Sequence, residues 1–172
     1  KLEALGAPQV IVAPNLFHGS DAHFYKARYP EAKLFVSSLS AKAIGKRCPV
    51  DGILPRLDAS VIAEVDCLEV AGTRMLDECV FFHRASRTLI VSDLVFNVQD
   101  DVKGFERKFM QWNGIYKKFG PSRLLKKFFT RDRVAFQASI REILEWDFDR
   151  VIMGHGRIVD AGGRSAFEAS FG

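Results

Sequence analysis

A layered α/β fold follows from three features of this 172-residue chain. Short apolar runs alternate with longer amphipathic stretches, the pattern of strands joined by helices. The first two runs enclose a helix pattern, which predicts a parallel strand pair with a right-handed crossover. Histidine and aspartate recur directly after apolar runs, and in layered α/β folds strand ends converge on one rim.

Gln9 to Ala13 is apolar and lies between Pro8 and Pro14, so it reads as a buried strand. A loop from Asn15 to Ser20 leads into a helix from Asp21 to Tyr29, capped by Ser20 or Asp21 and stopped by Pro30. Lys33 to Val36 is the next strand. Residues 37–60 are loop-rich, with Gly45, Pro49, Gly52 and Pro55, and have room for one short helix. Val61 to Val70 reads as a strand. Cys79 to Phe82 and Thr88 to Val91 are two more, joined by a hairpin-sized connection over Arg84 to Arg87. Asp100 to Trp112 and Arg123 to Phe129 have helical patterns. The clearest helix runs from Val134 to Trp146, with Phe136, Ile140, Ile143 and Leu144 on one stripe. Arg150 to Met153 is the last strand, and Arg164 to Ser170 a terminal helix after Gly162 and Gly163.

The length suits one domain, residues 1–172, with a sizeable core. At 48% apolar and 27% charged residues the composition is ordinary for a globular chain, and no apolar stretch approaches the ~18 residues of a membrane span. Cys48, Cys67 and Cys79 are odd in number, with no C-x-x-C, which argues against a disulfide framework and for reduced thiols in an intracellular protein. The chain opens at Lys1 without Met or a signal-peptide pattern, and a strand follows almost at once, so further residues are expected upstream.

The net charge of +4 is unevenly spread. Residues 103–133 hold ten basic residues against Glu106 and Asp132, leaving that segment at +8 and the remainder at −4. Aromatic residues interleave with the lysines and arginines, a pattern open to nucleic acid or another anionic partner. Lys117, Lys118, Lys126 and Lys127 are the candidates for such a surface. Against this, Phe105, Phe109 and Trp112 sit at helical spacing and would face the core, with the cations on a solvated face.

All four histidines lie near strand ends: His18 and His23 after the first strand, His83 after a later one, and His155 in Gly154-His155-Gly156 after the last. Asp93 follows Leu89-Ile90-Val91 directly. Imidazole and carboxylate are the usual ligands of a hydrolytic Zn²⁺ or Fe site.

Here the chain resembles the metallo-beta-lactamase superfamily. Val151-Ile152-Met153-Gly154-His155-Gly156 is similar to that family's last ligand motif, a strand followed by G-H-G. Leu89 to Phe96, with Ser92-Asp93-Leu94-Val95-Phe96, is similar to its strand followed by G-D-x-L-F. Val80-Phe81-Phe82-His83 stands in the place of its third motif. The resemblance runs from about residue 9 to the end and implies a four-layer αββα sandwich lacking its first strands. The first motif departs. Where the family has T-H-x-H-x-D-H, the four ligand places read Ala13, Asn15, Phe17 and His18. Ala13 to His18 also resembles an uncharacterised branch of the superfamily with a similarly altered motif.

The resemblance implies a metal-dependent hydrolase of a small molecule, with one Zn²⁺ or Fe held by His18, Asp93 and His155, and His83 beside them. Asn15 would orient substrate or an oxyanion. Asp21 and His23 lie close by but read as a helix cap and a helix-face residue. The alternative is a catalytically inactive protein of the same fold, without metal, serving as a scaffold or binding subunit for an anionic partner. A redox or oxygen-handling iron protein is a third option, but the usual two-iron ligand set is missing.

Overall fold

The computed structural model describes residue 4, residues 6–57 and residues 63–172. In chain order its elements are β1 (Val10–Ala13), α1 (Ala22–Arg28), β2 (Lys33–Val36), α2 (Ser38–Gly45) and β3 (Gly52–Ile53). There follow β4 (Val65–Glu69), β5 (Cys79–His83), β6 (Thr88–Ile90), β7 (Phe96–Asn97) and α3 (Gly104–Asn113). The last part contains β8 (Phe119–Gly120), a π-helix at Leu125–Phe129, α4 (Arg133–Leu144), β9 (Arg150–Ile152) and α5 (Gly163–Phe171). The first two residues of the expected strand over 61–70 fall outside the described residues.

The strands form two main sheets. One is parallel, in the order β1-β2-β3, with β1 and β2 joined through α1. The other has the order β4-β5-β6-β9, with β4, β5 and β6 antiparallel and β9 parallel to β6. Strand alternation builds the layers, because successive side chains point to opposite faces. In β2, Phe35 joins Phe81 and Cys79 of β5 in the core between the sheets, while Leu34 and Val36 pack toward α1 and α2 with Ala22 and Ile44. In β5, Val80 and Phe82 turn the other way, onto Phe136, Ile140 and Ile143 of α4 and Phe167 of α5. Helices therefore cover the outer face of each sheet, in αββα order.

The stripe predicted for α4 is the buried one: Phe136, Ile140 and Ile143 are at most 7% exposed. Asp132 caps that helix, its carboxylate accepting from Val134 N and Ala135 N at 3.0 Å each. Asp21 holds the N-cap position of α1 without a side-chain capping bond. Among the described residues no helix is long and apolar enough to cross a membrane. Cys48, Cys67 and Cys79 are free thiols.

One expectation is overturned on α3. Phe105, Phe109 and Trp112 do share a stripe, with rings 6.5 and 6.2 Å apart in succession. They are nevertheless 84%, 41% and 59% exposed, and Asn113 is the helix's buried residue. Helical spacing places residues on a common face; it does not supply an element to cover that face.

Candidate metal centre

The register of the second sheet sets the site. Ile90 of β6 pairs with Ile152 of β9 in parallel, so the chain leaves both strands at the same end. Asp93 lies three residues past Ile90, and His155 three past Ile152. β1 ends at Ala13, and its following loop crosses to the segment before β5: Cys79 N donates to Pro14 O at 2.9 Å and Leu16 N to Leu76 O at 3.5 Å. That crossing brings His18 from the first sheet onto the rim of the second.

The result is a compact triad. His18 Nε2 lies 3.2 Å from Asp93 Oδ2, and His155 Nε2 lies 3.3 Å from Asp93 Oδ1. One ligand atom from each residue can be chosen so that all lie within 4.8 Å of one another. Ligands of a tetrahedral ion, bound at ~2.0–2.2 Å, stand about 3.4 Å apart, close to each of the two His–Asp separations, and the donor set suits Zn²⁺ or Fe.

The His155 ring stacks on Phe96, with centroids 5.5 Å apart and planes at 12°. Gly156 follows at φ +108°, where a Cβ would meet the Asn97 carbonyl oxygen at 2.2 Å. Glycine is therefore needed for the His155 loop to lie against β7, where Asn97 N donates to His155 O at 3.1 Å.

Asn15 is 0% exposed, which corrects its expected role at substrate. Its Nδ2 donates to Asp93 Oδ2 at 2.9 Å, while its Oδ1 accepts from Phe17 N and His18 N at 2.9 Å each. One side chain thus folds the loop that carries His18 and steadies the Asp93 carboxylate. It faces the ligands from behind and not the solvent side.

His83 is not part of the cluster. It pairs with Thr88 where β5 turns into β6, and Asp93 lies five residues farther along the antiparallel strand. At ~3.3 Å per residue that is roughly 16 Å of strand, at the opposite end of the sheet. Its Nδ1 instead meets Ser86 Oγ at 2.7 Å, and its Nε2 lies 3.5 Å from Glu64 Oε2. His23 is likewise engaged elsewhere, with Ser20 O at 3.1 Å and Arg47 Nη2 at 2.9 Å. Asp21 is exposed and stands outside the triad.

The rim end of β5 is its start, and there sits Glu78, a residue the sequence reading missed. Its side chain is 0% exposed. Oε1 accepts from Ser92 N at 2.7 Å, and Oε2 accepts from Asp93 N at 2.8 Å and Asn15 Nδ2 at 3.5 Å. Burial, then the Asp93 charge, push its carboxyl up to about 7, against backbone N–H groups that favour the anion. The signal that could have found it is the hairpin. If β6 runs toward the rim, antiparallel β5 runs away from it, so the chemistry at the rim belongs before Cys79.

Beside the triad lies a cavity of about 400 Å³, walled by Phe17, Leu76, Phe96, Phe109, Leu124 and Phe129 among others. The sequence-predicted cations lie elsewhere. Lys126 and Lys127 line a separate cavity of about 600 Å³ with Arg133 and Arg141. Lys117 is held by Asp101 at 2.6 Å, which raises its ammonium pKa, and Lys118 is exposed.

No protein-family model matches the sequence, and no curated protein matches it. Solved structures do. The FIM-1 metallo-beta-lactamase from Pseudomonas aeruginosa in its mono-zinc form aligns with 94% of this chain at 12% identity and a TM-score of 0.57. A metallo-beta-lactamase from Pontibacter korlensis aligns with 92% at 15% identity and 0.53. The chemotaxis sensor ODP, solved with a peroxy diiron species, aligns with 91% at 14% identity and 0.59.

The chain has the metallo-beta-lactamase fold.

It spans 64%, 66% and 66% of those three chains respectively. At such low identity the likeness establishes the fold, and function has to be argued from the site. Within this metallo-beta-lactamase fold the rim carries His18, Asp93 and His155 in one group, with Asn15 and Glu78 buried behind them.

Proposed function

We propose that this protein is a metal-dependent hydrolase of small molecules with a single ion, Zn²⁺ or Fe, held by His18, Asp93 and His155. The observation that carries the reading is the convergence of two imidazole nitrogens on the two oxygens of one carboxylate at 3.2 and 3.3 Å. Three protein ligands leave a position open, as catalytic sites require. An ion so held polarises a carbonyl or phosphoryl oxygen and lowers the pKa of water toward ~7. The protein's own part is positional. Asn15 steadies Asp93 and the His18 loop, Glu78 holds the Ser92–Asp93 backbone, and Phe96 holds the His155 ring. We read residues 1–172 as one domain in which this is the catalytic rim.

The test is elemental analysis of purified protein loaded with Zn²⁺, Fe²⁺ or Mn²⁺. One equivalent is expected, lost in Asp93→Ala and His155→Ala, with His83→Ala unaffected. A protein that takes up no stoichiometric metal ends this reading.

A second reading, a scaffold for an anionic partner, draws on Lys126, Lys127, Arg133 and Arg141 around their own cavity. It predicts that charge reversal at Lys126 and Lys127 abolishes partner binding while Asp93→Ala leaves it intact.

A further inference from the structure

We infer that the substrate of this site is an uncharged carboxylic ester whose acyl part is a long apolar chain. The inference rests on the hydrolase reading and specifies its substrate class. Of the residues around the 400 Å³ cavity, most are aromatic or aliphatic, and Phe17 and Phe129 of its lining meet edge-on at 6.0 Å. Outside the triad its polar residues are Asn113 and Ser122, and the side-chain oxygen of each already accepts a backbone bond. Asn113 Oδ1 accepts from Leu124 N at 3.0 Å and Ser122 Oγ from Leu125 N at 3.0 Å. Among the described residues no lysine or arginine lines it. A substrate carrying a carboxylate or phosphate remote from the reacting bond would find no fixed cation there, and its desolvation would go uncompensated. An alkyl chain meets mainly apolar surface.

The chain also has a path outward. Phe109 belongs both to the cavity wall and to the exposed stripe with Phe105 and Trp112 on α3. An acyl group longer than the cavity lies along those rings. The bond cleaved follows from the missing acid. With His18, Asp93 and His155 committed to the ion, the lining offers no general acid for an amine leaving group. An alkoxide leaves more readily. In the balanced step, water adds across the acyl C–O bond: the carbonyl carbon gains the hydroxyl, the departing oxygen gains the proton, and nothing is oxidised.

Binding of unreactive analogues tests this apart from turnover. Butanamide, octanamide and suberic acid monoamide are titrated calorimetrically into the protein as purified and after chelation. Each methylene buried is worth roughly fourfold in affinity, from ~0.8 kcal/mol per CH₂. Octanamide is therefore expected to bind at least about tenfold more tightly than butanamide, and also more tightly than the suberic monoamide, whose far carboxylate enters the apolar wall. Leu124→Trp, which fills the cavity, and Phe109→Ser, a half-exposed position safe for folding, should each weaken octanamide roughly fivefold or more. Octanamide no tighter than butanamide, or tighter binding of the suberic monoamide, overturns the substrate class. Metal content measured on the same samples keeps the two ideas apart. Stoichiometric metal without chain-length dependence removes only the acyl substrate, whereas chain-length dependence without metal removes the hydrolase.

Discussion

Replacing Glu78 by glutamine should change how stability depends on pH, with a magnitude set by its burial. The carboxyl is fully buried and pushed from an ordinary value of 4.5 up to about 7. Below 4.5 both folded and unfolded chains carry the proton. Between 4.5 and about 7 the folded chain binds more protons than the unfolded one, so stability falls as pH rises through this window and levels off above it. At about 1.4 kcal/mol per pH unit the full window is worth on the order of 3 kcal/mol, and ~2–3 kcal/mol of it lies between pH 5 and pH 8. Glutamine has the same shape and does not titrate. It keeps one acceptor oxygen and places a donor-only NH₂ opposite a backbone N–H, a cost that does not change with pH and so cancels between the two pH values. Wild type minus Glu78→Gln should therefore drop by ~2–3 kcal/mol from pH 5 to pH 8, a difference in which groups uncoupled to Glu78 cancel. The assay is urea unfolding of chelated protein followed by far-UV circular dichroism at both pH values. A difference that stays constant within ~0.5 kcal/mol, or grows with pH, refutes the argument. Growth with pH would mean that the N–H donors of Ser92, Asp93 and Asn15 outweigh burial and hold Glu78 as an anion.

Two further outcomes follow from the same rim. Asn15→Ala removes the acceptor for Phe17 N and His18 N and the donor to Asp93, so a loss of about 2–3 kcal/mol is expected by chemical denaturation. Metal affinity should fall about 10–100-fold in equilibrium dialysis, because the side chain orients two ligands. Gly156→Ala places a Cβ 2.2 Å from the Asn97 carbonyl oxygen at φ +108°. Backbone must move to admit it, so a loss of ~2 kcal/mol or more is expected from thermal unfolding, together with loss of bound metal. An alanine variant with wild-type melting would show that the His155 loop does not rest on β7.

Much of the fold was legible because its rules are local. Strand periodicity placed β2, β5, β6 and β9 within a residue or two, and the βαβ order predicted the parallel β1–β2 pair. The stripe of α4 is the face that packs in the core. Part of the site was legible for the same reason. Asp93 and His155 sit at equal distances past two strands, and parallel pairing of those strands is enough to bring them together. His83 was misplaced because a strand-end histidine was read without the strand's direction, and antiparallel pairing sends that end away from the rim.

Sequence alone fixed where most strands and helices fall, which of their faces are apolar, and which histidines and aspartates follow strands as candidate ligands. Tertiary structure alone decided which of those residues meet. The crossing of the β1 loop to the start of β5 delivers His18 to Asp93, and hairpin direction excludes His83 and admits Glu78. Among the described residues no element covers the α3 aromatics, which stand exposed beside the cavity. The physical reason is one of range. Periodicity and turn chemistry act over a few residues, whereas a site is made by strand pairing and layer stacking between residues 63 to 78 positions apart in the chain, as Asn15 is from Glu78 and Asp93.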